Sequence, residues 1–279
     1  MVHRHLVNLS MQSVSFYTQT TMRITLIQTD IAWEDKQENL RRLQRHLEEL
    51  KGQTDLVVLP ETFTTGFSMN AERLAEPLSG PTVGLLRQWA SQYATALAGS
   101  FIARHDDGSC RNRFFFLTPE GEATYYDKRH LFRMGHENEC FAAGSERPII
   151  HYRGFRILPQ VCYDLRFPVW SRNVGNEYDL ALYVACWPSA RRHVWDVLLQ
   201  ARAMENQCYV CGVNRTGTDG NRIAHDGGSA LYSPKGERLA SLPDGQEGKA
   251  TVSIDLAPLQ HLREKFPVAA DADAFVLQK

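Results

Sequence analysis

The sequence predicts an α/β fold in which β-sheets are stacked and helices cover the outside. Short apolar segments typical of strands alternate with amphipathic helical segments along most of the chain. The hydrophobic share of 43% and the charged share of 23% are ordinary for a globular protein of 279 residues. No internal repeat, low-complexity segment or Pro/Gly/Ser-rich linker interrupts the chain, which favours a single domain.

The amino-terminal part predicts two strands, each followed by a helix. After the strand RITLIQ, residues 33–52 carry leucines at helical spacing, which form one apolar stripe, and a glycine at the end. The segment DLVVLPE (55–61) is apolar almost throughout, as in a strand of a sheet that is covered on both faces. Residues 80–94 predict a second helix with Pro81 near its start.

The remaining segments continue the alternation, with turn signals such as DDGS and PEGE between them. The predicted elements are strands and hairpins at 95–105, 111–128 and 149–162, a helix at 167–174, a buried strand at 179–187, a long helix at 192–207, and strands at 208–217, 228–241 and 250–256. We expect the tail from Pro258 to be irregular or helical.

Charge and cysteine content exclude several classes of protein. The formal net charge is −1 and the charges are interspersed, so the chain has no basic field for nucleic acid. Six cysteines are too few for a disulfide framework in a chain of this length. Cys208 and Cys211 form a CxxC within a predicted strand, where they point to opposite faces, so we expect neither a metal site nor a redox pair. No apolar run approaches the roughly 18 residues of a membrane span.

Residues 1–21 differ from the rest of the sequence. They contain no acidic residue, a single Arg and many Ser, Thr and Gln, and they lack the apolar core of a secretory signal. We expect a disordered extension, or translation from an upstream start codon in place of Met22. A single domain then spans residues 22–279, and the default location is the cytoplasm.

Three reactive side chains each follow a predicted apolar strand. Glu61 follows DLVVLP, Lys128 follows ATYYD, and Cys162 follows RILPQV. Ligand sites of α/β sheets assemble outside the carboxyl ends of strands. Each residue alone is weak evidence, since a buried cysteine is usually structural. The three together predict an active site.

The chemistry of a carboxylate, an ammonium and a thiol is coherent. Only the thiolate is a good nucleophile, and a neighbouring ammonium is expected to lower the pKa of the thiol. A carboxylate takes the proton as general base. The ammonium also stabilises an oxyanion formed from an amide carbonyl. The three groups together could therefore support attack of the thiol on an amide carbonyl.

Three sequence blocks resemble the signature blocks of the nitrilase, or carbon–nitrogen hydrolase, superfamily. They are LPETFTTGF (59–67), YYDKRHLF (125–132) and QVCYDLRFPVWSRN (160–173), in the family order of Glu, Lys and Cys. The resemblance extends from about Met22 to Asp255. It implies an α-β-β-α sandwich of two stacked mixed sheets with helices outside, usually as a homodimer, and a reaction that needs no metal or organic cofactor.

The resemblance also implies roles for individual residues. Glu61 is the general base, Cys162 is the nucleophile, and Lys128 holds the oxyanion together with the backbone N–H of Tyr163. The family has a second glutamate that positions the substrate and the lysine. Glu137 and Glu139 are both available, and their spacing to a following glycine favours Glu137.

The segments DKRHLFRMG and CYDLRFPVWSRN look most like the ω-amidase branch, which implies small α-keto acid ω-amides such as α-ketoglutaramate and α-ketosuccinamate as substrates. The alternative is an N-carbamoyl compound or a simple aliphatic amide. An α-keto acid carboxylate needs a cationic partner, for which Arg166, Arg133 or a helix N-terminus is a candidate. The aromatic residues Phe67, Tyr163 and Trp187 are candidates for the wall of the pocket.

Parts of the sequence are also compatible with three other functions. The segment HLFRMGHENEC gathers histidine, glutamate and cysteine side chains but lacks the spacing of a metal motif. His130, close to Lys128, makes a Cys–His hydrolase conceivable. An inactive binding relative would usually have lost part of the trio, and all three residues are present.

Overall fold

Two six-stranded sheets and six α-helices form the fold in a computed structural model that describes residues 20–277. The strands are β1 Thr21–Gln28, β2 Leu56–Val58, β3 Ala96–Arg104, β4 Cys110–Leu117, β5 Ala123–Asp127, β6 Ile150–Tyr152, β7 Phe155–Val161, β8 Leu180–Ala185, β9 Tyr209–Asn214, β10 Thr216–Thr218, β11 Ala224–Asp226, β12 Ala230–Tyr232, β13 Arg238–Ser241 and β14 Gly248–Asp255. The helices are α1 Lys36–Leu50, α2 Ala71–Leu74, α3 Pro81–Tyr93, α4 Glu137–Cys140, α5 Arg192–Glu205 and α6 Leu256–Lys265.

Both sheets have three parallel strands at the centre and antiparallel strands at the edges. The first sheet has the order β14-β1-β2-β3-β4-β5, with β1, β2 and β3 parallel. The second has the order β13-β12-β9-β8-β7-β6, with β7, β8 and β9 parallel. A separate ribbon joins β10 and β11. The prediction of two mixed sheets is confirmed.

Alternate side chains of each strand serve different layers. Leu56 and Val58 belong to the apolar cluster between the sheets, which also contains Leu180 and Leu182 from the second sheet. Val57 points the other way, into a cluster beneath α1 and α3. A third cluster joins the outer face of the second sheet to α5. The layers are therefore helix, sheet, sheet and helix, as an α-β-β-α sandwich requires.

Local sequence explains the helix ends. The carboxylate of Asp35 caps α1 by accepting the N–H of Glu38, and the predicted leucine stripe faces the first sheet. Pro81 occupies the first turn of α3, where its missing N–H costs nothing. Cys208 precedes β9 and packs on the α5 side, whereas Cys211 lies between the sheets, so the prediction that they face opposite ways is confirmed.

The predicted helix over 167–174 is wrong. A 3₁₀ turn at Cys162–Arg166 is followed by turns and a second 3₁₀ turn at Val174–Asn176. The side chain of Asn173 bonds the backbone N–H and carbonyl of Tyr178, and the Tyr178 hydroxyl donates to the Ser171 carbonyl. Within the predicted helix, the Ser171 carbonyl and the Asn173 N–H, which bonds Asn206 Oδ1, thus have side-chain partners in place of helical ones.

The first and last strands of the described part of the chain pair with each other in the first sheet, where β14 lies antiparallel to β1 along its full length. Of the predicted extension over residues 1–21, residues 1–19 lie outside the described part of the chain, and β1 already begins at Thr21. None of the described helices is long and apolar enough to cross a membrane.

Two glycine substitutions test the packing of α5 on the second sheet. A Cβ at Gly212 would lie 2.4 Å from Leu199 Cδ1 and 2.8 Å from Trp195 Cζ2. We expect Gly212→Ala to lower the free energy of unfolding by about 1–3 kcal/mol, the usual cost of overpacking. Gly84→Ala, at an exposed position of α3 with open space around it, should raise it by roughly 0.5–1 kcal/mol. Urea unfolding of both variants measures the contrast, and equal effects would contradict it.

Candidate active site

The segments that carry the predicted trio leave the strands at one cavity. Lys128 follows β5 directly, Cys162 follows β7 directly, and Glu61 lies in the turn after β2. Strand β5 runs in the same direction as β2, because β4 is antiparallel to both β3 and β5. The cavity has a volume of about 110 Å³, and its lining includes all three side chains.

The ammonium of Lys128 is the centre of a buried ion cluster. Its Nζ lies 2.8 Å from Glu61 Oε1 and 2.9 Å from both carboxylate oxygens of Glu137. None of the three side chains is more than 1% exposed. Burial alone would lower the pKa of Lys128, but Glu137 and Glu61 outweigh it and raise the pKa well above its usual value. The lysine is therefore a permanent cation.

The two candidate second glutamates occupy different environments. Glu137, at the start of α4, is buried and also accepts the backbone N–H of Phe132 at 2.6 Å. Burial raises the pKa of Glu137, Lys128 lowers it, and the nearby Glu61 carboxylate adds to the rise. Glu139 is exposed and bonds His136. The structure thus brings Glu137, and not Glu139, to the lysine.

Cys162 lies in a strained turn. Its φ of +46° is in the left-handed region, which non-glycine residues seldom adopt and which often marks a functional site. The carboxylate of Asp164 holds the turn by accepting the backbone N–H of Val161 at 3.0 Å. The turn directs the chain sharply away from β7 at the point where the thiol meets the cavity.

The thiol of Cys162 is a weaker acid than an ordinary cysteine. Lys128 lowers the pKa of the thiol, as the sequence predicts, but burial and the Glu61 carboxylate outweigh it and raise the pKa well above the usual value. A thiol of this kind is protonated at rest, so its attack on a carbonyl needs a base that removes the proton.

Asp164 also joins the cysteine turn to the lysine segment. Its carboxylate accepts the Tyr126 hydroxyl at 2.7 Å, the His130 backbone N–H at 3.0 Å and bonds His130 Nδ1 at 2.8 Å. Tyr126 and His130 flank Lys128 on both sides. The His130 ring stacks on Phe167 and is not part of the cavity lining, which argues against the Cys–His reading.

Residues predicted for substrate binding line the same cavity. Phe67, Tyr163, Arg166 and Trp187 all belong to the lining. The guanidinium of Arg166 lies 5.2 Å from the ring centroid of Trp187. Arg133, the alternative cation, is exposed and does not belong to the lining.

Three further residues of the site were missed by sequence reasoning. Arg191 lines the cavity, packs 5.3 Å from the Phe132 ring centroid, and accepts the Trp187 indole N–H through its carbonyl. His225 lines it from β11, and burial lowers its pKa to about 4, so it is neutral. Asn112, on β4, donates to both glutamates. Only Asn112 carried a visible signal, as a polar residue within an apolar strand.

The histidine, glutamate and cysteine residues around position 136 do not gather into a metal centre. Among residues 20–277 no group of three or more His, Cys, Asp or Glu side chains is arranged to hold a metal ion. Glu137 is engaged by Lys128, and His136 by Glu139.

An α-β-β-α sandwich with a carboxylate, an ammonium and a strained thiol in one cavity defines the class as a covalent amide hydrolase of the nitrilase type. The profile of the carbon-nitrogen hydrolase family matches residues 23–264, and the chain belongs to this family. Within it, the chain falls in the ω-amidase branch. The resemblance seen in the sequence is confirmed.

Three known proteins illustrate the relationship. The chain is 47% identical to the omega-amidase YafV of Yersinia enterocolitica, over 92% of this chain and 99% of that one. It is 31% identical to the 2-oxoglutaramate amidase of Bacillus subtilis (strain 168), over 89% and 96% of the two chains. The crystal structure of XC1258 from Xanthomonas campestris, a CN-hydrolase superfamily protein with an arsenic adduct in its active site, shares 45% identity and a TM-score of 0.90, over 92% and 99%.

Replacing Asp164 by Asn tests the link between the cysteine turn and the lysine segment. The asparagine side chain would place an N–H₂ group where one carboxylate oxygen of Asp164 now accepts hydrogen bonds. The buried donors on that side would lose their acceptor, which should lower the free energy of unfolding by about 1–3 kcal/mol. Asp196→Asn is the control, since Asp196 forms a partly exposed ion pair with Arg192 worth about 0–1 kcal/mol. Thermal unfolding and ammonia release measure both variants. An Asp164→Asn enzyme with unchanged stability would refute the link.

Proposed function

We propose that this enzyme hydrolyses the terminal amide of small α-keto acid ω-amides, such as α-ketoglutaramate and α-ketosuccinamate, to the acid and ammonia. The observation that carries the proposal is one cavity whose lining contains Cys162, Lys128 and Glu61 together with the guanidinium of Arg166. The names of the relatives, omega-amidase and 2-oxoglutaramate amidase, support the same substrate class.

The first half-reaction forms a thioester on Cys162. Glu61 takes the thiol proton as the sulfur attacks the amide carbon, so the high pKa of Cys162 is overcome only when substrate is present. The carbonyl oxygen becomes an oxyanion. Lys128 Nζ makes three short contacts to carboxylates at rest. In the reaction it also donates a hydrogen bond to the oxyanion, and the backbone N–H of Tyr163 is the second donor.

Collapse of the tetrahedral species completes the first half-reaction: Glu61 gives its proton to the leaving nitrogen, the C–N bond breaks, and ammonia departs from the thioester. The second half-reaction releases the acid. Water then enters, Glu61 takes a proton from it, and the resulting hydroxide attacks the thioester carbon. When the tetrahedral species collapses, the C–S bond breaks and the proton held by Glu61 returns to the sulfur. Glu137 positions Lys128 through both steps.

The substrate carboxylate binds at the arginines. Among the described residues, neither Arg166 nor Arg191 has a carboxylate within 4.0 Å, so both guanidiniums are available to an anionic ligand. Trp187 contacts both arginines. Arg166 packs on the Trp187 ring, and the Trp187 indole N–H donates to the Arg191 carbonyl. Phe67 and Tyr163 complete the walls around the carbon chain. A simple aliphatic amide, the alternative substrate, would leave these cations without a partner, whereas an N-carbamoyl acid would not.

We also propose a single catalytic domain over residues 22–279 that acts as a homodimer in the cytoplasm. The pairing of β14 with β1, the first and last strands of the described residues, supports a single domain. The dimer rests on the resemblance to the family, and light scattering of the purified protein measures it.

Cys162→Ala tests the nucleophile. Without the thiol no thioester forms, so ammonia release from α-ketoglutaramate should fall by 10⁴-fold or more, as the loss of a nucleophile does in roughly comparable covalent hydrolases. The control is Cys208→Ala, which removes a buried thiol outside the cavity and should keep activity. After the enzyme has reacted with a thiol-reactive substrate analogue, intact-mass measurement and peptide mapping should locate the adduct on Cys162. A Cys162→Ala enzyme with wild-type turnover would contradict the proposed mechanism.

Arg166→Gln tests the carboxylate site. Hydrogen bonds to charged groups contribute about 1.5–3 kcal/mol, so kcat/KM for α-ketoglutaramate should fall roughly 10- to 150-fold. Turnover of a neutral amide of similar length should change little. Arg133→Gln, at an exposed position outside the cavity, is the matched control. Equal losses on charged and neutral amides would assign Arg166 a purely structural role.

A further inference from the structure

We propose that Asn112 is a positioning residue that fixes the two glutamates of the active site relative to each other and to Lys128. This inference rests on the proposed roles of Glu61 and Glu137. Asn112 does not line the cavity, so it acts on the reaction only through the groups that it holds.

The side chain of Asn112 touches both carboxylates at once. Its Nδ2 lies 2.7 Å from Glu61 Oε1 and 3.1 Å from Glu137 Oε1, and the residue is 1% exposed. Its backbone carbonyl accepts the N–H of Lys128 at 3.0 Å. One residue of β4 therefore contacts three members of the ion cluster, which come from three different segments of the chain.

The orientation of the amide is set from the opposite side. The Ser100 hydroxyl donates to Asn112 Oδ1 at 3.0 Å, and Ser100 Oγ accepts the backbone N–H of Thr62 at 2.8 Å. Because the hydroxyl must donate to Asn112, the amide oxygen faces Ser100 and both N–H groups face the glutamates. Thr62 follows Glu61 and has a φ of +42°, so the same relay holds the strained turn that carries Glu61.

A neutral amide suits this position on electrostatic grounds. Two carboxylates share the single ammonium of Lys128, and the Cys162 and Cys186 thiols also face Glu61. A second cation would compete with Lys128 for the carboxylates, and a third carboxylate would add buried negative charge. Two N–H donors satisfy both glutamates and leave the net charge of the cluster unchanged.

Asn112→Ala is the decisive variant. With the carboxylates free to shift, we expect kcat to fall roughly 100-fold, as small misplacements of reacting groups do, while KM changes little because no substrate contact is lost. Loss of two donors also disfavours the ionised carboxylates, so the acid limb of the kcat/KM profile should move to higher pH. Asn173→Ala is the control, since Asn173 is a buried asparagine that bonds only backbone and Asn206 outside the cavity. It should lose stability but keep kcat and the pH profile.

A wild-type kcat and pH profile in Asn112→Ala would overturn the inference. If that variant does not fold, Ser100→Ala removes only the orienting hydroxyl, and kcat should still fall roughly tenfold at constant KM; unchanged kcat there would equally overturn it. Glu61→Gln distinguishes failure of the proposed function from failure of the proposed role of Asn112. Full activity of Glu61→Gln would refute the proposed function itself, whereas an inactive Glu61→Gln beside a fully active Asn112→Ala refutes only the role of Asn112.

Discussion

A single buried ammonium organises this active site. Lys128 is only 1% exposed, and a buried charge is tolerated only when it is paired and hydrogen-bonded. Glu61 from the turn after β2 and Glu137 from α4 provide that pairing, at 2.8 and 2.9 Å. Segments distant in the sequence must therefore converge on one atom. Losing either carboxylate would weaken the compensation of the buried cation, and losing the lysine would leave two carboxylates facing each other.

The ion cluster also determines how the thiol is used. Burial, and after it the Glu61 carboxylate of the cluster, raise the pKa of the Cys162 thiol. A standing thiolate would react with many electrophiles, but a protonated thiol reacts only when the base and the electrophile are both in place. The arrangement thus lowers the intrinsic reactivity of the thiol and makes its reaction depend on a bound substrate. In the proposed mechanism, Lys128 serves the later, anionic stage of the reaction, where a fixed cation lowers the energy of the oxyanion.

Much of this site could be predicted from the sequence, because the reactive residues follow strand ends, and strands are visible as apolar runs. The spacing to a following glycine favoured Glu137 over Glu139, and the structure brings Glu137 to the lysine while Glu139 bonds His136. Arg191 and His225 were missed because they reach the cavity from a turn and a short ribbon without local signals. The false helix at 167–174 has a similar origin. There the Asn173 N–H bonds the Asn206 side chain and the Ser171 carbonyl accepts the Tyr178 hydroxyl, and a periodic pattern does not show such side-chain partners.

The position of the thiol relative to the ammonium depends on how the two sheets pack. Lys128 leaves the first sheet at β5, whereas Cys162 leaves the second at β7, and the apolar layer between them sets their separation. Tyr126 crosses this boundary, because its ring lies in the apolar layer while its hydroxyl donates to Asp164 and accepts the Trp170 indole N–H at 3.0 Å. Packed interiors resist small displacements, so this polar bridge fixes the register between the sheets where the reacting groups meet. The distance between the Cys162 thiol and the Lys128 ammonium therefore depends on the packing between the sheets as much as on the two residues themselves.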